Sequence, residues 1–136
     1  MSAITYVAQE ESDGCLVACI AMATGRTYAE IRAIVAASYS GGIHSVIAHD
    51  VLADLGYAVM VRYKHIPHLK RNRDAWPIAP FAPVHICGVD ATTGPHAIVL
   101  LDTGEVYDPW TRDRHDLLHS DYTQIDHIDG VFKVIQ

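Results

Sequence analysis

The order of apolar and polar positions divides the chain near its middle into a helical half and a strand-forming half. From Asp13 to Ala23 small and apolar residues run almost without interruption, and Gly25 stops the run. This pattern predicts an opening helix with Asp13 as its cap. Thr27-Tyr28-Ala29-Glu30 has the form of a capping box and predicts a second helix to about Ser38. Ile31, Ile34 and Val35 share one face of it. Ser40-Gly41-Gly42 breaks the chain, and a third helix is predicted from about Ser45 to Leu55, stopped by Gly56.

The pattern changes at Tyr57. Tyr57 to Tyr63 is rich in aromatic and branched residues and reads as a strand. A proline-rich loop with Pro67, Pro77, Pro80 and Pro83 follows. Further strands are predicted at Pro83–Val89, His96–Leu101, Glu105–Tyr107 and Gly130–Ile135. Asp90 to Pro95 reads as a turn, and Asp102-Thr103-Gly104 as a hairpin turn. The polar stretch from Arg112 to Asp129 reads as irregular, with a helical turn at Asp116–His119. Helices first and antiparallel strands afterwards define an α+β domain, residues 1–136 forming a single unit.

Charge and composition narrow the function classes. The net charge is −6, with 10 basic and 16 acidic residues among 136. That balance argues against a broad nucleic-acid surface. One basic run, Lys64 to Arg73 with His65 and His68, reads as a solvated loop or a local site for an acidic partner. No apolar stretch reaches the roughly 18 residues a membrane helix needs. Met1 to Tyr6 lacks the charged and apolar regions of a signal peptide. The three cysteines are an odd number, so free thiols in a reducing, cytoplasmic setting are expected. Nothing in the sequence indicates a cofactor or fixes the oligomeric state.

Chemistry concentrates at a few positions. Cys15 falls in the first turn of the opening helix, where the dipole and unpaired N–H groups favour a thiolate; by itself it also reads as a small core residue. Cys19, one turn deeper, and Cys87, in a strand, read as core. Cys15 and Cys19 do not have the CxxC redox spacing. Gln9 precedes Cys15 by six residues, and its amide is either an oxyanion donor or a surface group. His96 opens an apolar strand, as a strand-end residue or as an imidazole held at a cleft. Asp108 ends the partner strand near the level of His96, where Pro109 halts the ladder and leaves it at the rim, within reach of a carboxylate–imidazole bond. His44 and His49, His65 and His68, and His115, His119 and His127 do not form a convergent zinc set, and no HExxH is present. Trp76 and Trp110 read as core or cleft wall.

Taken together, Gln9-Glu10-Glu11-Ser12-Asp13-Gly14-Cys15-Leu16, then Pro95-His96-Ala97-Ile98-Val99-Leu100-Leu101, then Val106-Tyr107-Asp108-Pro109 resemble the papain-like cysteine peptidases. The resemblance is closest to the bacteriocin-processing peptidase domains that cut double-glycine leaders. That family reads Asp-Cys-Gly where this chain has Asp13-Gly14-Cys15-Leu16. The resemblance implies a papain-like fold, with Cys15 as nucleophile, His96 as base and acid, Asp108 as orienting acid and Gln9 as oxyanion donor. Asp13, Gly14, Leu16 and Trp110 would lie along the cleft. The implied activity is hydrolysis of a peptide or isopeptide bond in a peptide or protein substrate, after small residues such as Gly-Gly. The same residues also fit a transglutaminase-type acyltransferase, and the displaced glycine fits an inactive peptide-binding module.

Overall fold

The computed structural model describes residues 4–38, 45–63, 65–69, 71, 82–117 and 121–134. Ser40-Gly41-Gly42, His44, Lys64, Lys70, Arg73, Trp76, Pro77, Pro80 and His119 lie outside them.

Three helices precede five strands: α1 Cys15–Thr24, α2 Tyr28–Ser38, α3 Ser45–Asp54, β1 Tyr57–Tyr63, β2 Val84–Ala91, β3 Gly94–Leu101, β4 Val106–Tyr107 and β5 Tyr122–Lys133. The strands form one sheet in the order β1-β5-β2-β3-β4, every neighbouring pair antiparallel. The predicted α+β class is therefore the observed one.

The helix ends follow local chemistry. Gly25 ends α1 in the left-handed conformation (φ 71°) and its N–H returns to the Ala21 carbonyl. Thr27 and Glu30 exchange side-chain-to-backbone bonds at 3.1 Å each, a complete capping box. The start of α1 differs from expectation. Its cap is Gly14, without a side-chain bond, while Asp13 is exposed in the preceding turn.

Helix α1 is buried from Val17 through Met22. It lies between α2 and the sheet face that presents Ile86, Ala97, Val99, Leu101 and Val131. The other face carries Cys87, Val89, Ile98, Leu100, Val106, Tyr122, Ile125 and Ile128, packed with Ile66, Leu69 and Leu117. Burial on both faces explains why β2 and β3 read as continuous apolar runs. Each fully buried Ile or Leu contributes about 1.5–3 kcal/mol relative to exposure. Within the basic run, Ile66 bonds Ile125 in both directions and Leu69 N–H reaches the Thr123 carbonyl, so that segment is anchored to β5.

Three boundaries move. Strand β2 runs on to Ala91 and β3 starts at Gly94, so the turn is only Thr92-Thr93, with Gly94 at φ 115°. His96 is thus the third residue of β3. Asp116 pairs with Glu105 in an isolated bridge. The third change is the largest: Tyr122 to Asp129, read as irregular, forms most of a 12-residue strand between β1 and β2.

Candidate active site

Helix α1 is buried through its middle and reaches the surface only at its ends, and its first residue is the half-buried Cys15. The approach to it is tightly built. The Gly14 N–H donates to the Glu11 carbonyl, and the Gln9 N–H to the Pro109 carbonyl, each at 3.0 Å. The second bond ties the segment before Cys15 to the turn after Asp108. Gly14 has an ordinary backbone conformation (φ −93°, ψ 10°), so its role is steric. A Cβ there would stand 2.0 Å from the Tyr28 hydroxyl. That hydroxyl donates to Glu11 Oε1 at 2.9 Å, and burial together with the Glu11 carboxylate pushes its pKa up to about 12. The glycine before the cysteine is therefore required by Tyr28 of α2. Gly14→Ala is expected to lower stability by about 1–3 kcal/mol through overpacking, measured by urea unfolding. Adding Tyr28→Phe, which deletes the clashing oxygen, should recover most of the loss.

His96 and Asp108 come from β3 and from the residue after β4. The pairs Val99–Tyr107 and Leu100–Val106 set the register. Continued by one residue, it puts Asp108 level with Ile98, so His96 is a diagonal neighbour on the same face rather than a direct partner. His96 Nε2 donates to Asp108 Oδ1 at 2.5 Å. Asp108 is not at the rim: it is 0% exposed. Its backbone carbonyl accepts the Tyr6 hydroxyl at 2.6 Å. Oδ1 also accepts the Trp110 N–H at 2.8 Å, and Oδ2 accepts the Tyr122 hydroxyl at 2.5 Å. Arg114 Nη1 lies 3.5 Å from Oδ2.

With Nε2 committed to Asp108, Nδ1 is the ring nitrogen left for the neighbouring Cys15 thiol. Burial opposes ionisation of Cys15, but the His96 hydrogen bond, the Ala97 and Leu16 N–H groups and the imidazolium charge outweigh it, and its pKa is lowered. Burial also works against the His96 charge; the bonds to Asp108 and Cys15 and their negative charges overcome it and raise His96 to about 9. Burial would raise Asp108, yet its bonds from His96, Tyr122 and Trp110 hold it below the usual carboxylate range. The surroundings thus shift each of the three groups toward its charged form.

Among the other sequence candidates, Gln9 Nε2 donates to the Glu11 and Ser12 carbonyls at 2.9 and 3.3 Å. Trp110 is 55% exposed. With Gln9, Glu10, Glu11 and Ser12 it lines a surface depression of about 310 Å³. Leu16 is half-buried against the core. Cys19 and Cys87 are 0% exposed, and burial raises both thiols. His49 binds Asp129 at 2.7 Å and the His115 ring bonds the Asp113 carbonyl. Among the described residues no three His, Cys, Asp or Glu side chains gather as metal ligands. Tyr6, Tyr28, Arg114 and Tyr122 support the site without having been singled out from sequence.

No family model and no curated protein matches the chain. Among solved structures, it is similar to the crystal structure of a double glycine motif protease from an AMS/PCAT transporter in complex with the leader peptide. The likeness has a TM-score of 0.57 and 13% identity, and it covers 96% of this chain and 92% of the other. At that identity it is a likeness of fold alone, that of a small α+β domain. No helix among the described residues is long and apolar enough to cross a membrane.

Proposed function

We propose that the chain is a papain-like cysteine peptidase whose nucleophile is Cys15. The observation that carries this reading is the His96–Asp108 hydrogen bond, from β3 to the residue after β4, beside a Cys15 at the start of α1 whose thiol pKa the imidazole lowers. Its likeness in fold to a double glycine motif protease supports the same reading.

In this mechanism the Cys15 thiolate attacks the scissile carbonyl carbon, and the carbonyl electron pair moves onto oxygen. First-turn N–H groups, which have no partner inside the helix, receive that oxyanion. Gln9 joins them once its Nε2 exchanges a loop carbonyl for substrate. The His96 imidazolium gives its Nδ1 proton to the leaving amine as the C–N bond breaks. His96, now neutral, takes a proton from water, whose oxygen attacks the thioester; the acid product leaves and the thiolate–imidazolium pair returns. Asp108 stays ionised and holds the ring.

The pH dependence follows from the signs. Cys15 ionises below the ordinary thiol value of 9.0, so turnover rises with pH through that lowered pKa. His96 loses its imidazolium proton near 9, so turnover falls as pH passes that value. Initial rates across pH should trace a bell with a plateau between these limits. Peptides with an internal Gly-Gly, incubated with the protein and analysed by mass spectrometry, test the substrate. Cleavage after the second glycine is expected. Products joined to an added amine would instead indicate acyl transfer, and intact peptides at every pH would contradict the reading.

A further inference from the structure

Resting on the peptidase reading, we propose that Tyr122 and Arg114 are positioning residues: together they clamp the second carboxylate oxygen of Asp108 so that the first is aimed at His96.

A carboxylate wholly out of water needs its lone pairs filled, or it takes up a proton. Asp108 is in that position, with no exposed surface. His96 and the Trp110 N–H occupy Oδ1. With that oxygen alone held, the group could turn about its Cβ–Cγ bond and tilt the acceptor away from the ring. Tyr122, the first residue of β5 and 1% exposed, reaches Oδ2 at 2.5 Å and fixes the carboxylate plane.

Arg114 supplies the charge. Its Nε and Nη2 both donate to Asp121 Oδ2, at 3.2 and 2.8 Å. This fork fixes the guanidinium and leaves Nη1, which has no hydrogen bond of its own, 3.5 Å from Asp108 Oδ2. The guanidinium also lies 5.8 Å from the centre of the Tyr122 ring. Asp121 and Tyr122 are adjacent at the start of β5, so one chain segment grips Arg114 by its carboxylate and Asp108 by its phenol. A solvated salt bridge would leave this arginine exposed; here its side chain is only 6% exposed. Two positive groups, His96 and Arg114, thus face one buried carboxylate from different sides. The arginine keeps Asp108 ionised and limits how tightly it holds the His96 proton.

The test is the pH profile of Cys15 alkylation by iodoacetamide, with peptidase kinetics and thermal unfolding on the same proteins. Tyr122→Phe keeps the ring and removes one donor. With the carboxylate no longer fixed, His96 should pair less closely with Cys15, so the Cys15 ionisation that sets the acid limb should move to higher pH. Arg114→Gln removes a positive charge beside the pair, so His96 should hold its proton to higher pH and the alkaline limb should rise. Each substitution should lower kcat about tenfold with KM changed less than about twofold, the mark of a misplaced acid–base group. Limbs and kcat in Tyr122→Phe that match the wild type would overturn the proposal, whatever its melting temperature. If Arg114→Gln does not fold, Tyr122→Phe decides alone. A wild-type chain in which Cys15 reacts no faster than Cys19 and Cys87 would remove the peptidase reading and this inference with it. A wild-type profile with a reactive Cys15 and unmoved variants would remove only the inference.

Discussion

Replacing Cys15 by alanine is expected to abolish peptide cleavage and leave the fold intact. The thiolate forms the acyl bond, and no other thiol can take its place. Cys19 is one turn deeper and fully buried, and Cys87 is sealed inside the sheet. Burial raises both of their thiols. The structural cost is small: Cys15 is half-buried at the first position of α1, and alanine is the best helix former. Stability should stay within about 1 kcal/mol of the wild type. His96→Ala should be as inactive, and the double substitution no worse than either alone, because the two groups act as one unit. Turnover of a fluorogenic peptide, with a far-UV spectrum as control, measures both parts. Full activity in Cys15→Ala would show that the nucleophile lies elsewhere.

The second large effect belongs to Asp108→Asn, and here activity and stability fall together. The carboxylate accepts on both oxygens, from His96 and Trp110 on one and Tyr122 on the other. An amide has only one acceptor oxygen, so one of these donors must face an NH2 group. Arg114 also loses part of its counter-charge in a buried setting. Removing one partner from such a buried pair costs about 3–5 kcal/mol. Loss of the orienting acid should lower kcat/KM roughly 10²- to 10⁴-fold. Denaturant titration and steady-state kinetics on one preparation separate the two losses. Asp108→Glu, which keeps charge but displaces it, should recover more stability than activity.

Much of this architecture is visible in the chain itself, because local chemistry sets it. The Thr27–Glu30 box, Gly25 and the apolar run of α1 each specify their own structure without help from distant residues. The apolar character of β3 similarly announces a strand buried on both faces. The tail is different. Strand β5 carries Asp126, His127 and Asp129, and two register shifts interrupt its pairing with β2. Those irregularities break the alternation that would mark a strand, and Asp129 is tolerated inside with His127 3.7 Å away and, above all, a hydrogen bond from His49 of α3. That partner lies 80 positions away, so no window of sequence contains the explanation.

The site divides along the same line. Cys15, His96 and Asp108 stand in recognisable local settings, a helix start, an apolar strand and an Asp-Pro turn. Gly14 could be seen as displaced but not understood, because the hydroxyl that demands it sits on α2. The burial of Asp108 was equally hidden. Pro109 does end the ladder, yet Arg114 and Tyr122 then close on the carboxylate and Tyr6 on the backbone carbonyl, from three separate segments. Expectation stopped where a residue's environment is supplied by parts of the chain far from it.

The most direct measurement is a brief pulse of limiting iodoacetamide at pH 6, followed by peptide mapping of the three cysteines. Label is expected on Cys15 almost exclusively, and its loss in His96→Ala, since the imidazole lowers the Cys15 thiol while burial raises the other two. Equal, slow labelling of Cys15, Cys19 and Cys87, or labelling of Cys15 that His96→Ala leaves unchanged, would contradict this expectation.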